Sequence, residues 1–152
     1  MLITTRLATP ADIPTLLDFE QGIVGFERPF NPTLKPDPIS YYDVAGMVHD
    51  PEVEVVVAVD GDLVVGSGYA KKKAASDYVT PSVHAFLGFM FVRPEYRGKG
   101  VNKLVMDDLL AWAKREGLSE IRLEVYAENA GAIRAYEKAG FGGLMLEMRR
   151  EI

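Results

Sequence analysis

Phe89-Met90-Phe91-Val92-Arg93-Pro94-Glu95-Tyr96-Arg97-Gly98-Lys99-Gly100 runs without a break into Val101–Trp112, and the rest of the chain is organised around it. An apolar run meets Pro94, and a turn carrying two glycines follows. Val101, Leu104, Val105, Leu109 and Trp112 then recur at the spacing of one helix face. The stretch therefore reads as strand, glycine turn, helix. The helix would begin near Gly98–Val101, where its first N–H groups have no acceptor inside the helix. Gly98 and Gly100 carry no side chain, so a ligand can approach that backbone closely. Free N–H groups and the positive end of the helix dipole together suit an anion, and Arg97 and Lys99 add charge on the same turn. A phosphate or pyrophosphate is the natural ligand. A tight strand–helix turn with a solvated basic surface is the alternative. Two familiar phosphate loops are excluded: a dinucleotide fingerprint needs glycine where Lys103 stands, and a P-loop needs Ser or Thr where Gly100 stands.

The length of 152 residues suits one domain, 1–152, and is enough to bury a sizeable core. The net charge of −5 argues against a nucleic-acid binder driven by bulk electrostatics. Cysteine is absent, which excludes disulfides, thiolate zinc sites and a cysteine nucleophile. His49 and His84 lack metal-motif spacing, so no metal is expected. No stretch approaches the roughly 20 apolar residues of a membrane span. The N-terminus has no signal-peptide pattern, and the expected location is cytoplasmic.

Leu2–Leu7 reads as a strand. Thr9-Pro10-Ala11-Asp12 opens a helix, with Thr9 as N-cap and Pro10 in the first turn. Gln21–Ile39 is read as irregular, because Pro29, Pro32, Pro36 and Pro38 each fix φ and remove a donor. Phe26, Glu27 and Phe30 lie in this segment. They either pin a rigid connector to the core or form a wall of the substrate site. Ser40–His49 contains a short helix. Glu52–Val59 and Leu63–Lys73 form a hairpin around Asp60-Gly61. Val83–Val92 is almost wholly apolar, as expected of a strand covered on both faces. Ile121–Val125 alternates as a half-buried strand, Glu128–Gly140 contains a helix, and Gly142–Arg150 is expected to supply the last strand or strands. The elements imply an α/β sandwich.

Two stretches together resemble the GNAT superfamily of acetyl-CoA-dependent N-acetyltransferases. Val92–Val101 is similar to that family's Gln/Arg-x-x-Gly-x-Gly/Ala pyrophosphate motif, with Arg97 and Gly100 in place and Asn102 departing at the last position. Leu123-Glu124-Val125, Asn129, Ala132 and Tyr136-Glu137-Lys138-Ala139-Gly140-Phe141 resemble its fifth strand and fourth helix. The resemblance implies a mixed, mostly antiparallel central sheet of about six to seven strands with helices on both faces. It implies that acetyl-CoA is held by Phe91, Val92, Arg97, Gly98, Lys99, Gly100, Val101, Asn102, Asn129 and Ala132. It also implies a homodimer as a possible assembly.

Acetyl transfer needs an amine freed of its proton, whose pKa is about 10 as in lysine. It needs a donor to the carbonyl oxygen, for which the Val92 N–H is the candidate, and an acid for the leaving thiolate. The resemblance makes Tyr136 that acid; without it, Tyr136 reads as a packed aromatic. Glu124 resembles the general base of bacterial ribosomal-protein alanine N-acetyltransferases, or is a strand residue paired with Arg122 or Lys138. Glu20, Glu27, His84 and water are the other candidate bases. The expected function is N-acetylation of a primary amine on a small molecule or peptide. A non-catalytic acyl-CoA sensor on the same fold is the alternative.

Overall fold

The computed structural model describes residues 2–152. One sheet holds β1 (Ile3–Leu7), β2 (Val53–Asp60), β3 (Leu63–Ala74), β4 (Val83–Val92) and β5 (Ile121–Arg122), in that spatial order. The first four pair antiparallel, and β5 joins β4 parallel. Helices α1 (Ile13–Glu27) and α2 (Val44–His49) lie between β1 and β2 in the chain; α3 (Val101–Arg115) connects β4 to β5, and α4 (Ala130–Lys138) follows β5.

The period of two in β2 sends alternate residues to opposite faces. Val55, Val57 and Val59 join Leu16 and Phe19 of α1 and Val44 of α2 in one core. Val56 and Ala58 join Val101, Val105, Leu109 and Trp112 of α3 in the other. Helices therefore cover both faces, which explains why β2 to β4 read as apolar runs. Gly66 and Gly68 let α3 lie close on β3: a Cβ there would come within 2.9 Å of Val101 Cγ1 and 2.7 Å of Val105 Cγ1. Leu104, expected on the buried face of α3, is 40% exposed, and Met106 and Ala113 are buried instead.

The sheet has five strands rather than six or seven. The ladder of β4 is irregular. Its pairing with β3 shifts between Ser67↔Phe91 and Tyr69↔Gly88, so Phe89 and Met90 face the single residue Gly68. Such a bulge bends its strand. Phe89 sits at φ +58°, the left-handed region that a bulky residue rarely adopts. Beyond Phe86↔Arg122 no pairing joins β4 to β5, so the strand expected over Ile121–Val125 ends at Arg122. The strand expected over Gly142–Arg150 does not form: the segment pairs with no strand among the described residues, and Leu144, Met145, Leu146 and Met148 are exposed.

Helix α1 runs on to Glu27, so Phe26 and Glu27 are helical and only Phe30 falls in the following 3-10 turn. The prolines begin at Pro29, and nothing before it breaks the helix. Three α1 or adjoining side chains clamp the proline-rich loop behind it. Gln21 Nε2 donates to the Ile39 carbonyl (2.9 Å), and Arg28 pairs with Asp37 (2.6 Å). Glu20, 1% exposed, accepts from the backbone N–H groups of Tyr41 (2.9 Å) and Tyr42 (2.7 Å) and from the Ser40 hydroxyl (3.2 Å). Glu20 is therefore a staple and not a base.

Removing that staple strands two buried N–H groups. Hydrogen bonds to a charged partner are worth about 1.5–3 kcal/mol each. Glu20→Ala is expected to destabilise the protein by about 3 kcal/mol on that scale, measured by denaturant unfolding. The Tyr41 and Tyr42 amides should lose hydrogen-exchange protection in the same variant.

Candidate active site

Where β4 parts from β5, a cleft of about 400 Å³ opens between α1, the end of β4, the start of α3, the segment after β5 and α4. Its floor is set by the bulged strand. Arg93 N–H donates to the Val65 carbonyl on β3 (2.8 Å). The alternation of an antiparallel ladder then turns the Val92 N–H and C=O away from β3, toward the cleft. The Val92 carbonyl accepts from Arg97 Nε (3.1 Å), which folds the Arg97 side chain back along the cleft rim.

The turn into α3 is built by two left-handed glycines, Gly98 (φ 74°) and Gly100 (φ 79°). Neither would meet a neighbour through a Cβ, so backbone conformation rather than crowding requires glycine, and the space above them is open. The first bond of the helix is from Leu104 N–H to the Gly100 carbonyl (3.2 Å). From Gly98 to Lys103, no amide N–H makes a backbone hydrogen bond of good geometry among the described residues. This is a cradle for an anion at the positive end of a four-turn helix.

Most of the residues expected from sequence share this cleft: Phe26, Glu27, Phe91, Val92, Arg97, Gly98, Gly100, Val101, Asn102, Glu124, Asn129, Ala132 and Tyr136 all line it. Two do not. The Lys99 ammonium lies over the Tyr96 ring, 5.4 Å from its centre, and Phe30 stands behind the wall, packed on Phe26 (5.8 Å) and Tyr126 (6.3 Å). His84 is 5% exposed at the opposite end of β4, beside the pairing with β5, and is remote from the cleft. Asn129 caps α4, its side chain accepting from the Ala132 N–H (3.2 Å). Sequence reasoning missed Gly22, Ile23, Met90, Tyr96, Val125 and Ala135. Gly22 has a recognisable reason: a Cβ there would come within 2.7 Å of the Phe91 ring. The Asn31 amide donates to the Tyr126 hydroxyl (2.9 Å) and ties the loop after α1 to the far wall.

The electrostatics are uneven. Burial pushes the Glu27 carboxyl above the usual carboxylate range, against a smaller opposing effect from Tyr41. Burial, and then the charge of Glu27, push up the Tyr136 phenol. The Tyr41 hydroxyl is buried near Glu27 without a hydrogen-bond partner of good geometry among the described residues. Among those residues no cluster of His, Asp and Glu could hold a metal ion, and no helix is long and apolar enough to cross a membrane.

The family model described as Acetyltransferase (GNAT) family matches residues 21–141, which contain every residue lining the cleft. The chain belongs to the GNAT acetyltransferases. It is 28% identical over 142 residues to the aminoglycoside N(6')-acetyltransferase type 1 of Stenotrophomonas maltophilia, covering 91% of this chain and 85% of that one. Its fold matches a predicted acetyltransferase with acetyl-CoA from Clostridium acetobutylicum at TM-score 0.75, 17% identity and 97% and 96% coverage. It matches the tetramutant of the BH1408 protein from Bacillus halodurans at TM-score 0.84 and 18% identity over all of both chains. Membership supports an acyltransferase.

Glu27 also gives a stability prediction. Its folded pKa is raised above the free value of about 4.3. The relative stability it provides is therefore complete below that value and lost as pH rises through the folded pKa. Glu27→Gln should melt with the parent protein near pH 4 and above it at neutral pH. Thermal unfolding across that range measures the divergence; a variant less stable at pH 7 would show that the ionised carboxylate is held by favourable contacts.

Proposed function

We propose that this protein moves an acetyl group from acetyl-CoA to a primary amine by direct transfer. The observation that carries this reading is the run of unpartnered amides from Gly98 to Lys103, opening into the same cleft as Tyr136 and Glu27. The residues fit the donor. The amides and the Arg97 charge suit its pyrophosphate, the gap beside Phe91 and Val92 suits its pantetheine arm, and Asn129 and Ala132 form the facing wall. Asn102 keeps its N–H in the cradle although the family motif has a smaller residue there. When bound, acetyl-CoA supplies the activated thioester carbonyl.

The chain's own groups then divide the work. The Val92 N–H faces the cleft and can donate to the carbonyl oxygen as it gains charge. Tyr136 donates a proton to the departing sulfur, and its raised pKa keeps that donor protonated at neutral pH. A carboxylate takes the proton that the amine loses, which balances the one given up by Tyr136. Glu124 and Glu27 both line the cleft. Glu27 is half-buried and its carboxyl is pushed up by burial, which suits a base; Glu124 is exposed and suits attraction of the ammonium form. Phe26, with Phe30 and Tyr126 behind it, gives the acceptor end an aromatic wall. Aromatic faces beside carboxylates favour a cationic amine. The relative from Stenotrophomonas maltophilia makes polyamine antibiotics a sensible first panel, beside amino acids and peptide N-termini.

Gly100→Val should abolish CoA binding by calorimetry, because it fills the cradle and cannot adopt the left-handed backbone cheaply. Undiminished binding would move the pyrophosphate elsewhere. CoA binding with no thiol release from any amine would instead mark an acyl-CoA sensor.

Tyr136→Phe keeps the ring on Phe141 (5.7 Å), so folding and cofactor affinity should survive. Loss of a general acid typically costs about 10²–10⁴-fold, and kcat should fall within that range. Glu27→Gln should also lower the rate, but with partial recovery at high pH, where more amine is already neutral. A rescue seen for Glu124→Gln and not for Glu27→Gln would reverse the two assignments.

A further inference from the structure

The Tyr41 hydroxyl is shut off from solvent and has no hydrogen-bond partner of good geometry among the described residues. A buried phenol normally finds a partner for its O–H. The acceptor it faces is the Glu27 carboxyl, and Tyr126 and Arg28 are also nearby. Glu27 in turn has Tyr41 beside it, and its charge is felt by Tyr42 and Tyr136. Arg28, the neighbouring cation, is held by Asp37 (2.6 Å) and by the Lys35 carbonyl (2.9 Å), so it forms no ion pair with Glu27.

Tyr41 is held rigidly. Glu20 and Glu27 lie two turns apart on one face of α1. The Glu20 carboxylate accepts from the Tyr41 N–H (2.9 Å), while the Tyr41 hydroxyl reaches Glu27. One residue after the proline-rich loop therefore meets both carboxylates of the helix. Its ring stands edge-on to Tyr42 (5.8 Å), which stacks on Phe89 (4.7 Å). The neighbouring phenols are engaged elsewhere. The Tyr42 hydroxyl lies by the Phe89 backbone, and the Tyr126 hydroxyl accepts from the Asn31 amide (2.9 Å).

We propose that Tyr41 is a positioning residue for Glu27: its hydroxyl donates to the carboxylate and leaves the second oxygen turned to the cleft. An ionised carboxylate only accepts, through two oxygens, so one can be held while the other takes a proton. Tyr41 keeps its own proton throughout, because burial and then the charge of Glu27 push its phenol up. It is therefore a fixed donor and not a second base. A donor to the charged form makes the carboxylate easier to ionise, against the burial that opposes ionisation. The catalytic consequence rests on the reading of Glu27 as the base; the contact itself does not.

The contact is tested without activity. The carbon-13 resonance of the Glu27 side-chain carboxyl is followed against pH in the free full chain, and is identified by its absence in Glu27→Gln. Tyr41→Phe keeps the ring on Tyr42 and removes only the donor. The Glu27 titration should then move to higher pH by about one unit, as expected for the loss of one hydrogen bond to a charge. The amide of residue 41 should keep its hydrogen-exchange protection, because the bond from Glu20 is untouched. A titration that stays in place or moves to lower pH overturns the proposal. A move accompanied by loss of that protection also overturns it, since the loop and not the hydroxyl would have shifted. Thiol release with the amine turned over fastest then reads the consequence: the acidic limb of kcat/KM should move up with the resonance. A resonance that moves under an unmoved limb leaves Tyr41 holding Glu27 and removes Glu27 as the base.

Discussion

The architecture of the site depends on one strained residue. Phe89 sits at φ +58°, a conformation that costs a non-glycine residue about 1–2 kcal/mol. Its surroundings hold it there. The ring is 2% exposed and stacks on Tyr42 at 4.7 Å, and its carbonyl accepts from the buried Ser67 hydroxyl at 2.9 Å. The bulge it creates ends the pairing of β4 with β5 and turns Val92 toward open space. A sheet without this bulge could continue pairing along residues 123–125, and the cleft would be closed by backbone hydrogen bonds. Strain at one buried position thus goes with peptide groups left free to face the cleft.

The second feature of the site is the cost of its charges. Burial pushes up both Glu27 and Tyr136, and the charge of Glu27 adds to the shift of Tyr136, so neither group is at its ordinary value. The raised Glu27 carboxyl lowers stability at neutral pH, whereas the Tyr136 shift has an effect only where the phenol ionises. Glu20, Gln21 and Arg28 lock the proline-rich loop to α1, and Asn31 reaches across to Tyr126. The elements that carry the chemistry are therefore positioned by side chains that carry none of it.

Much of this was legible in the sequence. The strand–glycine turn–helix unit was readable because Gly98 and Gly100 punctuate a clean change of hydrophobic period, and the anion cradle follows from that turn alone. Membership of the family was readable from the joint occurrence of this unit with the Asn129–Phe141 stretch. What failed were features that depend on pairing rather than local pattern. The shortening of β5 goes with a bulge on a different strand, and Gly142–Arg150 has the composition of a strand but pairs with none among the described residues. Glu20 looked like a spare base because a sequence does not show that two N–H groups from residues 41 and 42 converge on it. The extension of α1 to Glu27 was obscured by prolines that act only downstream of the helix.

The most direct test of the account is a titration of isotope-labelled protein with acetyl-CoA, followed by amide resonances. The account predicts saturable shifts concentrated at Val92 and at Gly98 to Lys103, with smaller ones at Asn129 and Ala132. Saturable binding that leaves Gly98 to Lys103 unmoved, or no binding at millimolar ligand, would contradict it.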